Sequence, residues 1–350
     1  MELSFTRTNG EIDELIDDII QKASATNHPN LVREMIITAL KAGQEIDYLA
    51  DLKLFNNTMK EMRYTSKVFA PYRSRKKVSI FGSARTEKSD PIYQKCVRFS
   101  RLLAEKGFMI ITGGGGGIME AGNEGAGSEN SFAVNIRLPF EQQPNRVMLE
   151  NPRLITYKYF FTRKVAFVKE ADAIAVFPGG FGTMDEAMEV FTLIQTGKTS
   201  PKPLVLIDDA DGYWKSWLDF IKSRMLGKGL ISGEDFSIFT ITQNEDEAAQ
   251  VIEDFYKNYH SLRFINGLLV IRHTRELSDE NLQVLENEFR EIIIPGTRIS
   301  RSQPLPEEID EPDLLKLRRI VLHFDHKHYG FLTAFIRRLN LFPESDRLPG

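Results

Sequence analysis

The stretch Asp172-Ala-Ile-Ala-Val-Phe-Pro-Gly-Gly-Phe-Gly-Thr-Met-Asp-Glu186 constrains this chain more than any other. Ala173 to Phe177 is an apolar run with the length of a central parallel strand, too short for a helix. Pro178 ends it, because proline has no N–H to give to a ladder. Gly179, Gly180 and Gly182 permit a tight turn and leave no Cβ between the backbone N–H groups and a ligand. Thr183 reads as a helix cap, and Met184 to Gln195 has helical apolar spacing. A helix N-terminus behind such a turn offers free N–H donors and the positive end of a macrodipole, so it suits a phosphate. Taken alone, the turn also fits a ligand-free connection, and Asp185 and Glu186 also fit simple dipole stabilisation.

Two more stretches repeat the pattern. Phe108-Met-Ile-Ile-Thr112 runs into the five glycines Gly113 to Gly117 and then into a helical segment. Five glycines in a row carry a large conformational-entropy cost that a purely structural turn would not need. Lys77-Val-Ser-Ile-Phe81 runs into Gly82-Ser83-Ala84-Arg85. Three strands that finish in such turns at one sheet edge form a crevice for a phosphorylated ligand.

These residues carry a family resemblance. Pro178-Gly-Gly-Phe-Gly-Thr-Met-Asp-Glu186 resembles the PGGxGTxxE signature of the LOG family, phosphoribohydrolases that split nucleoside 5′-monophosphates. Arg163-Lys164 stands ahead of it where the family carries an Arg-Lys pair, and Phe81–Arg85 and the glycine run match two further landmarks. The resemblance covers roughly residues 76–225. Ile118-Met-Glu-Ala-Gly-Asn-Glu-Gly-Ala126 is more similar to larger prokaryotic members than to single-domain plant ones, which favours broader nucleotide use over strict cytokinin specificity. An older label for such proteins, possible lysine decarboxylase, finds no lysine here marked as a pyridoxal anchor.

Around this centre the chain of 350 residues divides into three blocks. Residues 1–75 read as helices with apolar stripes, such as Ile12, Leu15, Ile16, Ile19 and Ile20, and a capping box at Thr8–Glu11. They are expected to pack on the sheet or on a neighbouring subunit. Residues 76–258 alternate strand and helix, with strands expected at 78–82, 108–112, 132–137, 173–177 and 204–208 and an edge strand near 237–242. Residues 259–350 read as a small α+β appendage: strands at 264–271 and 319–324, helices at 279–292 and 330–339, and a Pro/Glu-rich loop at 304–312. The fold class is therefore α/β: a Rossmann-like doubly wound parallel sheet with a helical N-terminal region and that appendage.

Several alternatives fall away. Gly197-Lys198-Thr199 ends like a Walker A loop, but Thr192 stands where its first glycine is required. Gly113–Gly117 lacks the GxGxxG spacing and the ribose-binding acid of a dinucleotide site. A net charge of −4 gives no general nucleic-acid or membrane surface. The N-terminus lacks a signal pattern and no apolar run reaches bilayer length, so a cytoplasmic protein is expected. The single cysteine, Cys96, reads as core filler. His323, Asp325, His326 and His328 cluster, but strand alternation puts only the first two on one face, so a polar strand end is preferred to a zinc site.

Cleaving a base from ribose passes through an oxocarbenium-like transition state, which calls for a fixed negative charge near the anomeric carbon and a water on the open face. Glu186 is the candidate for that charge, and Arg163 for a clamp on phosphate or ribose. The resemblance implies phosphate binding by Gly179, Gly180, Gly182 and Thr183, and a ribose or base side lined by Ser83, Gly114, Gly115, Gly116 and Glu120, with Lys164 as a further candidate. It implies no metal and no organic cofactor, a nucleoside 5′-monophosphate as substrate, and a homodimer or higher homo-oligomer, with neither nucleic acid nor membrane as partner. The rival reading is a non-catalytic carrier of a nucleotide or phosphorylated cofactor, similar to molybdenum-cofactor carriers.

Overall fold

The structure is a computed structural model that describes residues 9–23, 27–137 and 143–343. It divides into two compact units, Met1–Tyr64 and Thr65–Gly350. In the first, α1 (Glu11–Lys22) and α2 (Pro29–Glu45) bury Ile16 and Ile37 and join through an ion pair between Asp13 and Arg33. Gly10 caps α1 without a side chain, while Thr8 of the expected capping box lies outside the described residues. Leu15, Ile19, Leu31 and Met35 are exposed in this chain. A third helix, α3 (Leu49–Phe69), runs on into the second unit.

The second unit is built on a seven-stranded parallel sheet in the order β4-β3-β2-β1-β5-β6-β7. The strands are β1 (Lys77–Phe81), β2 (Met109–Thr112), β3 (Ser131–Ile136), β4 (Leu154–Tyr157), β5 (Ala173–Val176), β6 (Leu204–Ile207) and β7 (Phe239–Thr242). Every residue of β1, β2, β3, β5 and β6 is buried, as a sheet covered on both faces requires. The period of two splits β1 between the layers: Val78 and Ile80 enter one core, and Phe81 enters the other. Helices α4 (Pro91–Glu105), α5 (Ile118–Ala126), α6 (Phe160–Lys169), α7 (Phe181–Gln195), α8 (Tyr213–Phe220) and α9 (Glu245–Asp254) cover the faces. Asp90 caps α4, accepting the Ile92 N–H at 2.9 Å ahead of Pro91. Cys96 is fully buried beneath it.

The Rossmann-like α/β reading holds, with local corrections. The edge strand β4 was not expected; it is four residues long between Arg153 and Lys158, and no glycine turn marks its end. The helix from Tyr213 does not stay regular, passing into a π-helical turn at Ile221–Met225. Arg75 binds the Gly107 carbonyl and the Asn130 side chain, at the sheet edge remote from the glycine turns.

The C-terminal block adds an antiparallel sheet in the order β10-β11-β9-β8, from β8 (Tyr259–Ile265), β9 (Leu268–His273), β10 (Ser300–Ser302) and β11 (Arg318–Leu322). The single strand expected at 264–271 is a hairpin, because Asn266 and Gly267 both adopt left-handed backbone at φ 49° and 81°. Helices α10 (Asp279–Glu288) and α11 (Tyr329–Asn340) pack on this sheet, around Leu269, Ile271, Leu285, Ile320 and Phe335. Asp325 accepts the backbone N–H groups of Lys327 and His328 and bonds the His328 ring, so the expected histidine cluster folds as a capped turn. Among the described residues no group of three metal-ligating side chains converges, and no helix is long and apolar enough to cross a membrane.

Arg272 and Arg319 face each other across β9 and β11 and are both about 2% exposed. The fully buried Glu308 joins them, accepting Arg272 Nε and Arg319 Nε at 2.8 Å each and the Leu305 N–H at 2.9 Å. Glu311 adds a 2.6 Å contact to Arg272. Burial opposes the charge of Glu308, but the hydrogen bonds from Arg319, Leu305 and Arg272 outweigh it and hold the carboxyl below its ordinary value of 4.5. Glu311 is held down first by its bond from Arg272. A carboxyl depressed in the folded state adds stability that is present above its unfolded pKa and is lost as pH falls through its folded pKa. The urea midpoint is therefore expected to fall steadily once the pH drops below about 4.5. Glu308→Gln should flatten that dependence, and a midpoint indifferent to acid would contradict the assignment.

Candidate active site

Three turns meet at the C-terminal edge of β1, β2 and β5, and Ser83 ties them together. Its N–H donates to the Pro178 carbonyl at 3.1 Å, and its own carbonyl accepts the Ile118 N–H at 3.0 Å. One residue thus spans the turn after β5 and the end of the glycine run. Gly117 is held tightly here: its φ is +62°, and a Cβ would lie 2.3 Å from the Ser83 oxygen. Left-handed backbone alone costs an alanine roughly 1–2 kcal/mol. Gly117→Ala is expected to lower the unfolding free energy by at least that amount and to displace Ser83. Gly180→Ala, where a Cβ meets open space, should stay within about 0.5 kcal/mol of the parent. Equal effects of the two in chemical denaturation would refute this reading.

Helix α7 begins at Phe181 with Gly180 as its N-cap, and no side chain caps it. This corrects the expected role of Thr183, which is the third residue of the first turn, buried, and packed so closely on Gly179 that a Cβ there would lie 2.1 Å from Thr183 Oγ1. The first-turn N–H groups of α7 thus lack both intrahelical and side-chain acceptors. The Tyr213 hydroxyl donates to the Gly179 carbonyl at 2.7 Å and fixes the turn from behind.

Thr183 and Glu186 are three residues apart and share the buried face of α7. Glu186 is 6% exposed and meets α6: its Oε1 accepts Arg163 Nη2 at 3.2 Å and its Oε2 accepts Lys164 Nζ at 3.0 Å. Lys164 also reaches Asp185 at 2.9 Å and Glu189 at 3.1 Å. Burial opposes its charge, but the bonds to Asp185, Glu186 and Glu189 prevail and raise its pKa. Arg163 lies over the rings of Phe160 and Phe167, with centroids at 5.1 and 5.5 Å. Its Nε is buried without a hydrogen-bond partner among the described residues. An unpartnered buried guanidinium N–H is costly, and an oxygen from a ligand would satisfy it.

The glycine run is less open than expected. Gly114 and Gly115 are buried, and their carbonyls accept the Asn145 N–H at 2.8 Å and its side-chain amide at 3.0 Å. Gly116 is the partly exposed member, and Glu120 pairs with Lys88 at 2.9 Å. Asn145, Tyr213 and Glu189 were not singled out from sequence, and Asp185 was read there only as a charge that fits dipole stabilisation. Asn145 and Tyr213 lie in no motif, and the two acids resemble ordinary helix-surface charges until α6 is placed beside them.

A family model described as possible lysine decarboxylase matches residues 115–252. Cytokinin riboside 5′-monophosphate phosphoribohydrolase LOG2 of Arabidopsis thaliana is 25% identical over 182 residues, 51% of this chain and 84% of the relative. The LOG enzyme of Oryza sativa subsp. japonica is 27% identical over 183 residues, 51% of this chain and 72% of the relative. Among solved structures, the molybdenum cofactor carrier protein of Chlamydomonas reinhardtii aligns over 51% of this chain and 96% of its own, at 16% identity and a TM-score of 0.36. The segment matched by the family model includes Arg163 and Glu186, and the chain is similar to the LOG family.

Proposed function

We propose that the protein hydrolyses the N-glycosidic bond of nucleoside 5′-monophosphates, of purine or cytokinin type, to a free base and ribose 5-phosphate. The observation that carries this reading is the buried Glu186 carboxylate between Arg163 and Lys164, one turn inside an uncapped helix N-terminus. The 5′-phosphate would lie on the N–H groups after Gly179 and Gly180, beside Gly182 and Thr183. Glu186 stands about 7 Å further along the helix axis at 1.5 Å per residue, within the reach of a ribose. Arg163 and Lys164 fix its position from two sides, and a carboxylate held there could face the positive charge of an oxocarbenium-like transition state and orient water. The unpartnered Arg163 Nε would take a ribose or phosphate oxygen. Ser83, Gly116 and Glu120 border the ribose side. A phosphate cradle alone would need no buried carboxylate, which favours the hydrolase over a carrier.

Lysine decarboxylation finds no support at Lys164. Three carboxylates keep it protonated, the reverse of the neutral amine that carbonyl chemistry requires. We also infer a homo-oligomer, in keeping with the family resemblance.

The test is product analysis by chromatography, with AMP, GMP, CMP, UMP and isopentenyladenosine monophosphate set against their nucleosides. Free base and ribose 5-phosphate from the monophosphates alone would establish the reaction and rank the bases. Tight binding of monophosphates without turnover would sink it in favour of a carrier.

A further inference from the structure

A cleft of about 620 Å³ opens at the N-terminal ends of β5 and β6, the sheet edge opposite the glycine turns. Its walls are α6, the end of α7 with the loop that follows, and the start of β8. Four lysines line it against two carboxylates. Both acids are already engaged: Asp172 accepts the Lys77 N–H at 2.8 Å, and Glu189 is paired with Lys164.

Two of the lysines, Lys202 and Lys198, form no direct ion pair among the described residues. Lys202 is 7% exposed, and among the described residues its ammonium hydrogen-bonds the carbonyls of Val168 and Ala171, at 2.8 and 2.6 Å, with Asp172 acting on it through space. Burial pushes its pKa down to about 8. Lys198 is exposed and forms no ion pair among the described residues. A buried ammonium that meets Asp172 through space and makes no direct ion pair is incompletely compensated, and an anion in the cleft would add what the carbonyls do not. Opposite the lysines, Tyr256 and Tyr259 stack at 6.2 Å and give an apolar wall. The Tyr256 hydroxyl is occupied by the Asp172 carbonyl at 2.6 Å, and the Lys76 ammonium lies 4.3 Å over its ring. The loop carrying Lys198 is set by Gly197, which ends α7 at φ +68° and abuts the Tyr329 ring. Tyr256, Tyr259 and Tyr329 all lie beyond the segment that the family model matches.

We propose that this cleft is a second ligand site, one that takes a small polyanion carrying phosphate or carboxylate groups. It would give the C-terminal block a role that its lack of catalytic motifs leaves open. Its upper wall is Lys164, the same ammonium that holds Glu186, so an anion drawing Lys164 down would loosen the candidate catalytic carboxylate. The binding claim stands independently of the proposed hydrolysis, because its test uses no substrate.

The experiment is isothermal titration of the full chain with pyrophosphate and, separately, with citrate. It is run on the parent, on Lys198→Glu at the cleft mouth, and on Gly180→Asp, which sets an acid in the glycine turn. At least one anion is expected to bind parent and Gly180→Asp alike and to bind Lys198→Glu about tenfold or more weakly. Pyrophosphate alone would identify a phosphoryl ligand, citrate alone a carboxylate one, and both a general polyanion site. Binding abolished by Gly180→Asp and untouched by Lys198→Glu would place the anion on α7 and overturn the proposal. So would the absence of binding by either anion.

Discussion

Glu186→Gln is expected to lower kcat for monophosphate cleavage by about 10²- to 10⁴-fold, the usual range for removing a positioned acid–base carboxylate. The substitution preserves volume and leaves a carbonyl oxygen for Arg163, while Lys164 keeps Asp185 and Glu189. The fold should therefore survive, and the loss should fall on the step that develops positive charge at the anomeric carbon. KM should change far less than kcat, because the phosphate contacts lie on the backbone of the preceding turn. Single-turnover assays with quantified ribose 5-phosphate would read the effect. A variant that retains more than about a tenth of parental kcat would remove Glu186 from the chemistry.

Glu308→Ala should be the most damaging single change to stability, at about 3–5 kcal/mol, the usual cost of removing one partner from a buried ionic group. It would leave Arg272 and Arg319 opposite each other on neighbouring strands, with Arg319 stripped of its carboxylate and Arg272 left with the partly exposed Glu311. Like charges facing across a ladder repel, and both guanidinium groups are too deeply buried for water to compensate. The segment from Leu305 to Glu311 would lose its anchor on the second sheet. Urea denaturation followed by far-UV circular dichroism would measure the loss. An apolar triple variant, Glu308→Leu with Arg272→Met and Arg319→Leu, should regain most of it, because well-packed hydrophobic groups can replace a buried ionic triad. A loss below about 1 kcal/mol for Glu308→Ala would mean that the triad is better hydrated than its burial indicates.

The central strands could be read from sequence for a physical reason. A parallel strand buried on both faces is continuously apolar, and its turn into a helix is written in glycine. β4 carries neither mark, since it is a short edge strand with one exposed residue. The hairpin at Asn266-Gly267 did carry a local signal, but the apolar residues on both sides merged into one apparent strand. At the candidate site, Arg163 and Glu186 were found by motif. Lys164 looked like a solvated neighbour of Arg163, because its three carboxylates lie on another helix about twenty residues away. Glu308 is the extreme case. It stands in a Pro/Glu-rich loop that composition assigns to solvent, and only the cross-strand arginines explain its burial.

The strand order has a consequence for synthesis on the ribosome. β1 pairs on one side with β2 and on the other with β5, so the sheet grows outward from its first-made strand in two campaigns. When β4 has emerged, four strands can assemble, yet one edge of β1 still lacks its neighbour. That apolar edge stays open while the segment 158–172, including α6 with Arg163 and Lys164, is translated, about one to three seconds at usual elongation rates. The nascent chain therefore passes through a stage at which its future central strand is a free edge, and chaperone capture or aggregation should concentrate on truncations that end there.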